Sequence, residues 1–339
     1  MKIQHALRRV LLDQDLSEDD MGEVFEQIMS GEVDDNDLVK FLSALRDKGE
    51  SVSEIVGAAK VMRAKAVTIV APEGMVVDTC GTGGTGLDTF NISTATAFVV
   101  AGAGVTVAKH GNRAVTSKSG SADVLECLGV NINADKTVVE KCLAEVGIGF
   151  LFAPSLHKAM KHAINARKAI SGRTIFNLLG PLTNPAGVKA QVIGVFDAKW
   201  TTPIAQALKA LGSQRAFVVN GEDGMDEITL THKTNVSELV DGEIKEYQID
   251  PGDFGFRLCD MKSLSGGSPF QNAAMIMGVL ARSRGRKRAI ILINAAVVLV
   301  VSGKARNLKD GVHLAQNSLD SWAARDILIK LGDVSFSGS

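Results

Sequence analysis

Cysteine is scarce in this chain. Its 339 residues hold 4, Cys80, Cys127, Cys142 and Cys259, widely spaced and with no CxxC pair. Neither a disulfide scaffold nor a zinc or dithiol site is expected, and the thiols read as reduced, as in a cytoplasm. Charge of one sign is equally lacking: 37 Lys and Arg face 38 Asp and Glu, for a formal net charge of -1. That balance excludes a polybasic nucleic-acid tail, so any affinity for an anion must come from amides, a few cations and a metal gathered locally. The one basic run, Arg282, Arg284, Arg286, Lys287 and Arg288, has no aromatic residue between its charges and reads as a solvated turn, not a nucleic-acid platform. Long apolar runs are missing too. Residues 289–301 are interrupted by Asn294 and fall short of the roughly 18 residues that cross a bilayer, so a buried helix is expected there. The first twenty residues meet charges before an apolar core of a secretory signal can form, so export is not expected.

What is present is an average globular composition, 45% hydrophobic and 22% charged, over a length that suits two packed cores. Residues 1–70 read as consecutive amphipathic helices, with Ile3, Leu7, Val10 and Leu11 on one apolar stripe and Met21, Val24, Phe25 and Ile28 on the next. Ser17 with Asp20, and Ser51 with Glu54, have the spacing of helix N-caps. Beyond Pro72 the texture becomes alternating. Strands are expected at 75–80, 105–108, 149–152, 191–196 and 216–220, with helical segments such as 91–102, 122–128 and 201–211 between them. This pattern predicts an α/β domain with a largely parallel sheet. Residues 173–185, with two prolines and two asparagines, break the alternation and are expected to form a crossing loop.

Three loops carry candidate chemistry. Gly81, Thr82, Gly83 and Gly84 follow a strand and precede a helix that opens Asn91, Ile92, Ser93, Thr94; amides and hydroxyls at the positive end of a helix can hold phosphate. The motif lacks the GK[ST] of a P-loop and the third glycine of a dinucleotide fingerprint. The next strand ends in Lys109, His110, Gly111, Asn112 and Arg113, followed by Thr116, Ser117, Lys118, Ser119, Gly120 and Ser121. Cations and hydroxyls there can meet phosphate oxygens. Loops after consecutive strands belong at the carboxyl edge of the sheet, where open α/β sheets bind ligands. Asp226 and Glu227 lie at a third strand end, and adjacent carboxylates can share a hydrated Mg2+ with a substrate pyrophosphate. Arg167, on an amphipathic segment, is the fork that an organic carboxylate would need. His110 and His157 rank below these as bases, because a lone histidine is more often a structural residue.

The ordered set GTGG, NIST, KHGNR, SKSGSADVLE, RTIFNLLGPLTNP and DEI closely resembles the anthranilate phosphoribosyltransferase family, and the resemblance covers nearly the whole chain. It implies a small, mostly helical domain made of residues 1–71 with 172–186, and a large α/β domain made of 72–171 with 187–339, the active site lying between them. The implied reaction moves the 5-phosphoribosyl group of phosphoribosyl pyrophosphate onto the amino group of anthranilate, in tryptophan biosynthesis. A cytoplasmic homodimer with two Mg2+ ions is implied, with no membrane or nucleic-acid partner. Carried over position by position, the donor-binding set is Gly81, Gly84, Thr85, Thr89, Asn91, Ile92, Ser93, Thr94, Lys109, His110, Gly111, Asn112, Arg113, Ser117 and Ser121. Gly81, Asn112 and Arg167 correspond to the anthranilate site, and Ser93, Asp226 and Glu227 to the metal positions. No residue is implied as a catalytic acid or base.

One position departs: the family usually has Asp directly after GTGG, and this chain has Thr85, with Asp88 three residues on. Activity is expected to survive with a changed magnesium optimum, which a magnesium titration of the parent against Thr85→Asp checks; identical titrations would refute it. Two other readings are a pyrimidine nucleoside phosphorylase of related architecture and a non-catalytic nucleic-acid-binding homologue. The paired Asp226 and Glu227 and the long NLLGPLTNP stretch favour the transferase.

Overall fold

The structure, a computed structural model, describes residues 1–114 and 118–337. Four helices open the chain: α1 (Ile3–Val10), α2 (Glu18–Ser30), α3 (Asp35–Lys48) and α4 (Val52–Lys65). The expected caps are in place. Ser17 Oγ accepts from the Asp20 amide at 3.1 Å, and Ser51 and Glu54 form a reciprocal capping box. Glu54 is fully buried and its carboxylate is also met by the Leu16 amide and Lys48 Nζ, each at 3.0 Å. A buried carboxylate without such partners would be strongly destabilising. Met21, Val24, Phe25 and Ile28 are buried as expected, whereas Leu11 is 66% exposed, because α1 ends at Val10 and the chain turns away at Asp13, whose φ is 55°.

Seven strands form one sheet: β1 (Val76–Gly81), β2 (Thr106–Gly111), β3 (Ile148–Phe152), β4 (Ala190–Gly194), β5 (Arg215–Gly221), β6 (Thr234–Val240) and β7 (Glu243–Ile249). Their order is β3-β2-β1-β4-β5-β6-β7, parallel through β5 and antiparallel at the β6 and β7 edge. Period-two alternation splits the strands between the two faces of the sheet, and Val76, Ala108 and Leu151 join a small third cluster beside the two larger cores. Val77, Val107, Phe150, Val192, Phe217 and Val219 pack with helix α5 (Ile92–Gly102) and the apolar helix Arg286–Val301. Ile193, Val195, Ala216 and Val218 share the other core with the N-terminal helices and the helix Thr201–Ala210. Burial on both faces explains why the parallel strands read as short continuous apolar runs.

The expected crossing loop at 173–185 is in fact built around a helix, Ile175–Leu182. Pro181 removes one hydrogen bond near its end, a penalty of about 3 kcal/mol inside a longer helix. Against that, Ile175, Phe176, Leu178, Leu179 and Leu182 are buried, each stabilising by about 1.5–3 kcal/mol. Burial wins, and the Thr174 amide is satisfied by Asn177 Oδ1 at 3.1 Å. The segment then returns to the sheet through Asn184, whose side-chain amide donates to Asp78 Oδ2 and to the Ala108 carbonyl, both at 2.8 Å.

Candidate active site

Gly81 ends β1 directly beside Gly194, the end of β4. Beyond it Gly83, Gly84 and Gly86 have φ of 64°, 73° and 74°, a conformation that favours glycine. The loop is fastened on one side by β4: the Thr82 amide donates to the Gly194 carbonyl at 2.9 Å, and Thr82 Oγ1 accepts from the Phe196 amide at 3.1 Å. On the other side the Gly83 amide donates to Asp226 Oδ2 at 2.9 Å. A Cβ on Gly81 would run into the Asp226 carboxylate, and one on Gly194 into the Asp226 backbone, so these glycines make room for the acidic turn.

That turn is itself clamped. The Ile228 amide donates to Asn294 Oδ1, and Asn294 Nδ2 donates back to the Ile228 carbonyl, both at 2.9 Å. The polar residue that interrupts the apolar helix therefore holds Asp226 and Glu227 in place. Burial pushes the Asp226 carboxyl up, opposed by the Gly83 amide. Glu227 is pushed up to about 8, first by burial and then by the adjacent charge of Asp226; Lys109 and the Ser93 amide act in the opposite direction. Lys109 is buried, and its Nζ donates to the Thr79 carbonyl at 2.7 Å and to Ser93 Oγ at 3.3 Å. Gly81, the glycine loop, Ser93, Lys109, Asp226 and Glu227 are thus brought together from four chain segments.

The remaining expected residues are spread over the approach to α5, its first turn, the KHGNR loop and the helix Ile164–Ala169. Asn91, just before α5, receives hydrogen bonds from Asn272 Nδ2 at 2.9 Å and Ser119 Oγ at 3.0 Å; Thr89 bridges to Ser265; Thr85 Oγ1 accepts from the Leu87 amide at 3.2 Å. Ile92 and Thr94 are buried at the start of α5, with Thr94 Oγ1 lacking a hydrogen-bond partner among the described residues. In the KHGNR loop, Gly111 passes close to Ser121 and Phe150, and the Asn112 carbonyl accepts from Ser121 Oγ at 3.3 Å. Arg113 turns away to bind Asp123 at 2.9 Å and Glu126 at 2.8 Å. Ser117 lies outside the described residues. Arg167 sits half-buried on the helix Ile164–Ala169, its guanidinium 5.2 Å from the Phe176 ring centre. It makes no hydrogen bond or ion pair among the described residues, and burial lowers its pKa. Arg173, Asp78 and Asn184 were not singled out from the sequence; only Asp78, a lone acid in an apolar strand, carried a visible signal.

His110 and His157 are held neutral inside the fold. They are buried with ring centres 5.1 Å apart. Burial lowers them from 6.5 to about 3 and about 4 respectively, with each ring also facing a backbone carbonyl of the 173–185 segment, Gly180 for His110 and Thr183 for His157. Groups held neutral in the fold but protonated when unfolded contribute stability above pH 6.5 that is lost as pH falls through the window toward 4 and then 3. The pair should therefore withdraw on the order of 4 kcal/mol by pH 5. Urea unfolding of the parent and of His157→Gln at pH 7.5 and pH 5 measures the His157 half of this, because the raised Asp226 and Glu227 carboxyls act with the opposite sign in both proteins; the same change of midpoint with pH in the two proteins would contradict it. Cys80, at the end of β1, has its thiol raised well above the usual range by burial and by Asp78. It is not a nucleophile, so a folded Cys80→Ser variant should keep kcat within about twofold; loss of most activity would overturn that.

Residues 73–325 match the glycosyl transferase family a/b domain, and residues 4–66 match the helical bundle domain of that family. Over 329 residues, and 97% of both chains, the sequence is 51% identical to the anthranilate phosphoribosyltransferase of Alkaliphilus metalliredigens (strain QYMF). The chain belongs to the anthranilate phosphoribosyltransferase family. The fold is that of solved members: it superposes with a TM-score of 0.92 and 39% identity on the anthranilate phosphoribosyltransferase of Thermus thermophilus, covering 97% of this chain and 99% of that one. The Saccharomyces cerevisiae anthranilate phosphoribosyltransferase, solved in complex with PRPP and Mg, gives a TM-score of 0.91 at 28% identity, over 99% of this chain and 98% of that one. Membership of the anthranilate phosphoribosyltransferase family makes the chain an enzyme, a glycosyltransferase, and sets aside both the phosphorylase and the nucleic-acid-binding readings. No helix among the described residues is long and apolar enough to cross a membrane.

The donor set suits Mg2+ when a substrate completes the site. Among the described residues no group of three or more His, Cys, Asp and Glu could cage a metal. Two adjacent carboxylates are present instead, each raised by burial, and Glu227 by repulsion from Asp226 as well. A hydrated Mg2+ needs only one or two carboxylates plus phosphate oxygens, and its charge relieves that repulsion.

Proposed function

We propose that this chain transfers the 5-phosphoribosyl group of phosphoribosyl pyrophosphate to the amino group of anthranilate, releasing pyrophosphate, as a step of tryptophan biosynthesis. The observation that carries the reading is the joint between Gly83 and Asp226, which fixes amides and a carboxylate pair against Lys109 at one sheet edge. Amides of the glycine loop, Ser93 and Lys109 would hold the anionic donor, together with Thr89, Asn91, Asn112 and Ser121. Asp226, Glu227 and Ser93 would hold Mg2+, two ions in the full complex. Arg167 would receive the anthranilate carboxylate, with Gly81 and Asn112 nearby. Residues 1–71 with 172–186 would form the small domain and carry the contacts of a cytoplasmic homodimer.

In the reaction the C1–O bond to pyrophosphate breaks and the bond from C1 to the anthranilate nitrogen forms, with one amine proton released. When bound, Mg2+ supplies positive charge to the departing pyrophosphate. The glycine-loop amides and Lys109 add fixed dipoles and charge where negative charge develops, without reorganising. Anthranilate is a competent nucleophile at neutral pH, so holding it in line contributes more than a base would. The neutral, buried His110 and His157 fit that economy, as they shape the site without accepting a proton.

Product analysis tests the reading against the phosphorylase. Anthranilate with phosphoribosyl pyrophosphate should yield one pyrophosphate per anthranilate consumed, and thymidine with inorganic phosphate should yield no free base. The reverse pattern would overturn the proposal.

A further inference from the structure

Arg173 stands at the meeting of three pieces of the fold. It lies on the strap that leaves the helical layer, where Arg46 of α3 donates to the Ser171 carbonyl at 3.1 Å, and directly precedes the buried helix Ile175–Leu182. Its guanidinium lies 3.9 Å from the centre of the Phe196 ring, just beyond β4, and donates to the Gly84 carbonyl in the glycine loop. Its charge also faces Asp226. Phe196 is fixed in turn, since its amide donates to Thr82 Oγ1 at 3.1 Å.

The glycine loop needs such a restraint. Gly83, Gly84 and Gly86 all have left-handed φ, and glycine loses more conformational freedom on ordering than any other residue. The ends of the loop are tied by Gly83 to Asp226 and by the Asp88 carbonyl to the Gly266 amide at 2.7 Å. Between those ties, among the described residues, Arg173 is the side chain from outside the loop that grips its backbone. A planar fork can stack on Phe196 and donate at its edge at the same time, which an ammonium cannot.

We propose that Arg173 is a positioning residue: through Gly84 and Phe196 it holds the glycine loop in its donor-receiving shape and couples that shape to the docking of the helical strap. The inference rests on the proposed donor role of the loop. Because it acts on the loop before chemistry, its removal should weaken donor binding and leave the acceptor site alone.

The test compares the full-length protein with Arg173→Gln and Arg173→Lys. In ligand-free protein, amide hydrogen exchange of residues 82–88 should accelerate about tenfold in Arg173→Gln, with exchange in α5 unchanged. KM for phosphoribosyl pyrophosphate should rise about tenfold, the scale of one charge-assisted hydrogen bond, with kcat and KM for anthranilate within about twofold. Arg173→Lys should restore only part of both effects. Unchanged exchange in residues 82–88 would overturn the proposal, as would a fall in kcat with the donor KM unaltered, or a general loss of thermal stability without the local effect. Exchange is read without turnover, so failure of the functional reading shows separately, as a parent protein that does not consume anthranilate with the donor.

Discussion

An Asp226→Asn variant is expected to fold normally and lose about a hundredfold to a thousandfold in kcat, the range seen when a group stabilising transition-state charge is removed. The substitution isolates charge from architecture. Asn can still accept the Gly83 amide bond through Oδ1, and its volume suits the space left by Gly81 and Gly194. What disappears is one of two adjacent carboxylates, and with it most of the affinity for the cation that would accompany pyrophosphate. Raising Mg2+ should recover only part of the loss, because Glu227 remains but cannot make the same charge density alone. Steady-state rates across a magnesium titration, with circular dichroism to confirm folding, measure the effect. A kcat within threefold of the parent throughout would remove Asp226 from the chemistry and leave it as a structural anchor of the glycine loop.

For Arg167→Gln the expected loss lies on one substrate. A charge-assisted hydrogen bond between a guanidinium and a carboxylate contributes about 1.5–3 kcal/mol, which corresponds to a rise of about tenfold to a hundredfold in KM for anthranilate. The donor KM should not move, because no hydrogen bond or ion pair links Arg167 to the glycine loop among the described residues. Stability should change little: the interaction lost within the protein is the stacking on Phe176 at 5.2 Å, worth about 0.5–1 kcal/mol at a partly exposed site. A parallel rise in both KM values would indicate that the helix Ile164–Ala169 had shifted. An unchanged anthranilate KM would show that the aromatic carboxylate is bound elsewhere.

The layout of the site was legible because parallel strands place their ends predictably. Glycine, lysine and acidic motifs at three strand ends had to converge at one sheet edge, and Gly81, Lys109 and Asp226 do so. The N-terminal helices were equally readable, since Ser17 and Ser51 mark their starts through local hydrogen bonds. The helix Ile175–Leu182 escaped notice because local propensity opposes it: its proline and glycine are outweighed by burial against the helical layer, a tertiary effect. Strands β6 and β7 were missed for a different reason: β6, TNVSELV, carries polar residues between its apolar ones, and β7 is mostly exposed. Its sequence EIKEYQI is largely exposed and charged, with no apolar run, although Asp241 and Gly242, with φ of 51° and 79°, form the Asp-Gly turn that marks a hairpin. Arg173 carried no spacing signal at all. Its importance depends on which loop the strap passes, and only the folded chain reveals that it passes Gly84.

Transfer of a phosphoribosyl group to anthranilate at a metal-assisted pyrophosphate site has a direct optical signature, the loss of anthranilate fluorescence. The most direct measurement follows anthranilate fluorescence after phosphoribosyl pyrophosphate is added to the purified chain, with Mg2+ and again with excess chelator. The fluorescence should fall to completion with Mg2+ and stay constant with chelator, at a rate proportional to enzyme. Constant fluorescence in both, from a folded protein that still gains thermal stability from phosphoribosyl pyrophosphate, would contradict anthranilate as the acceptor.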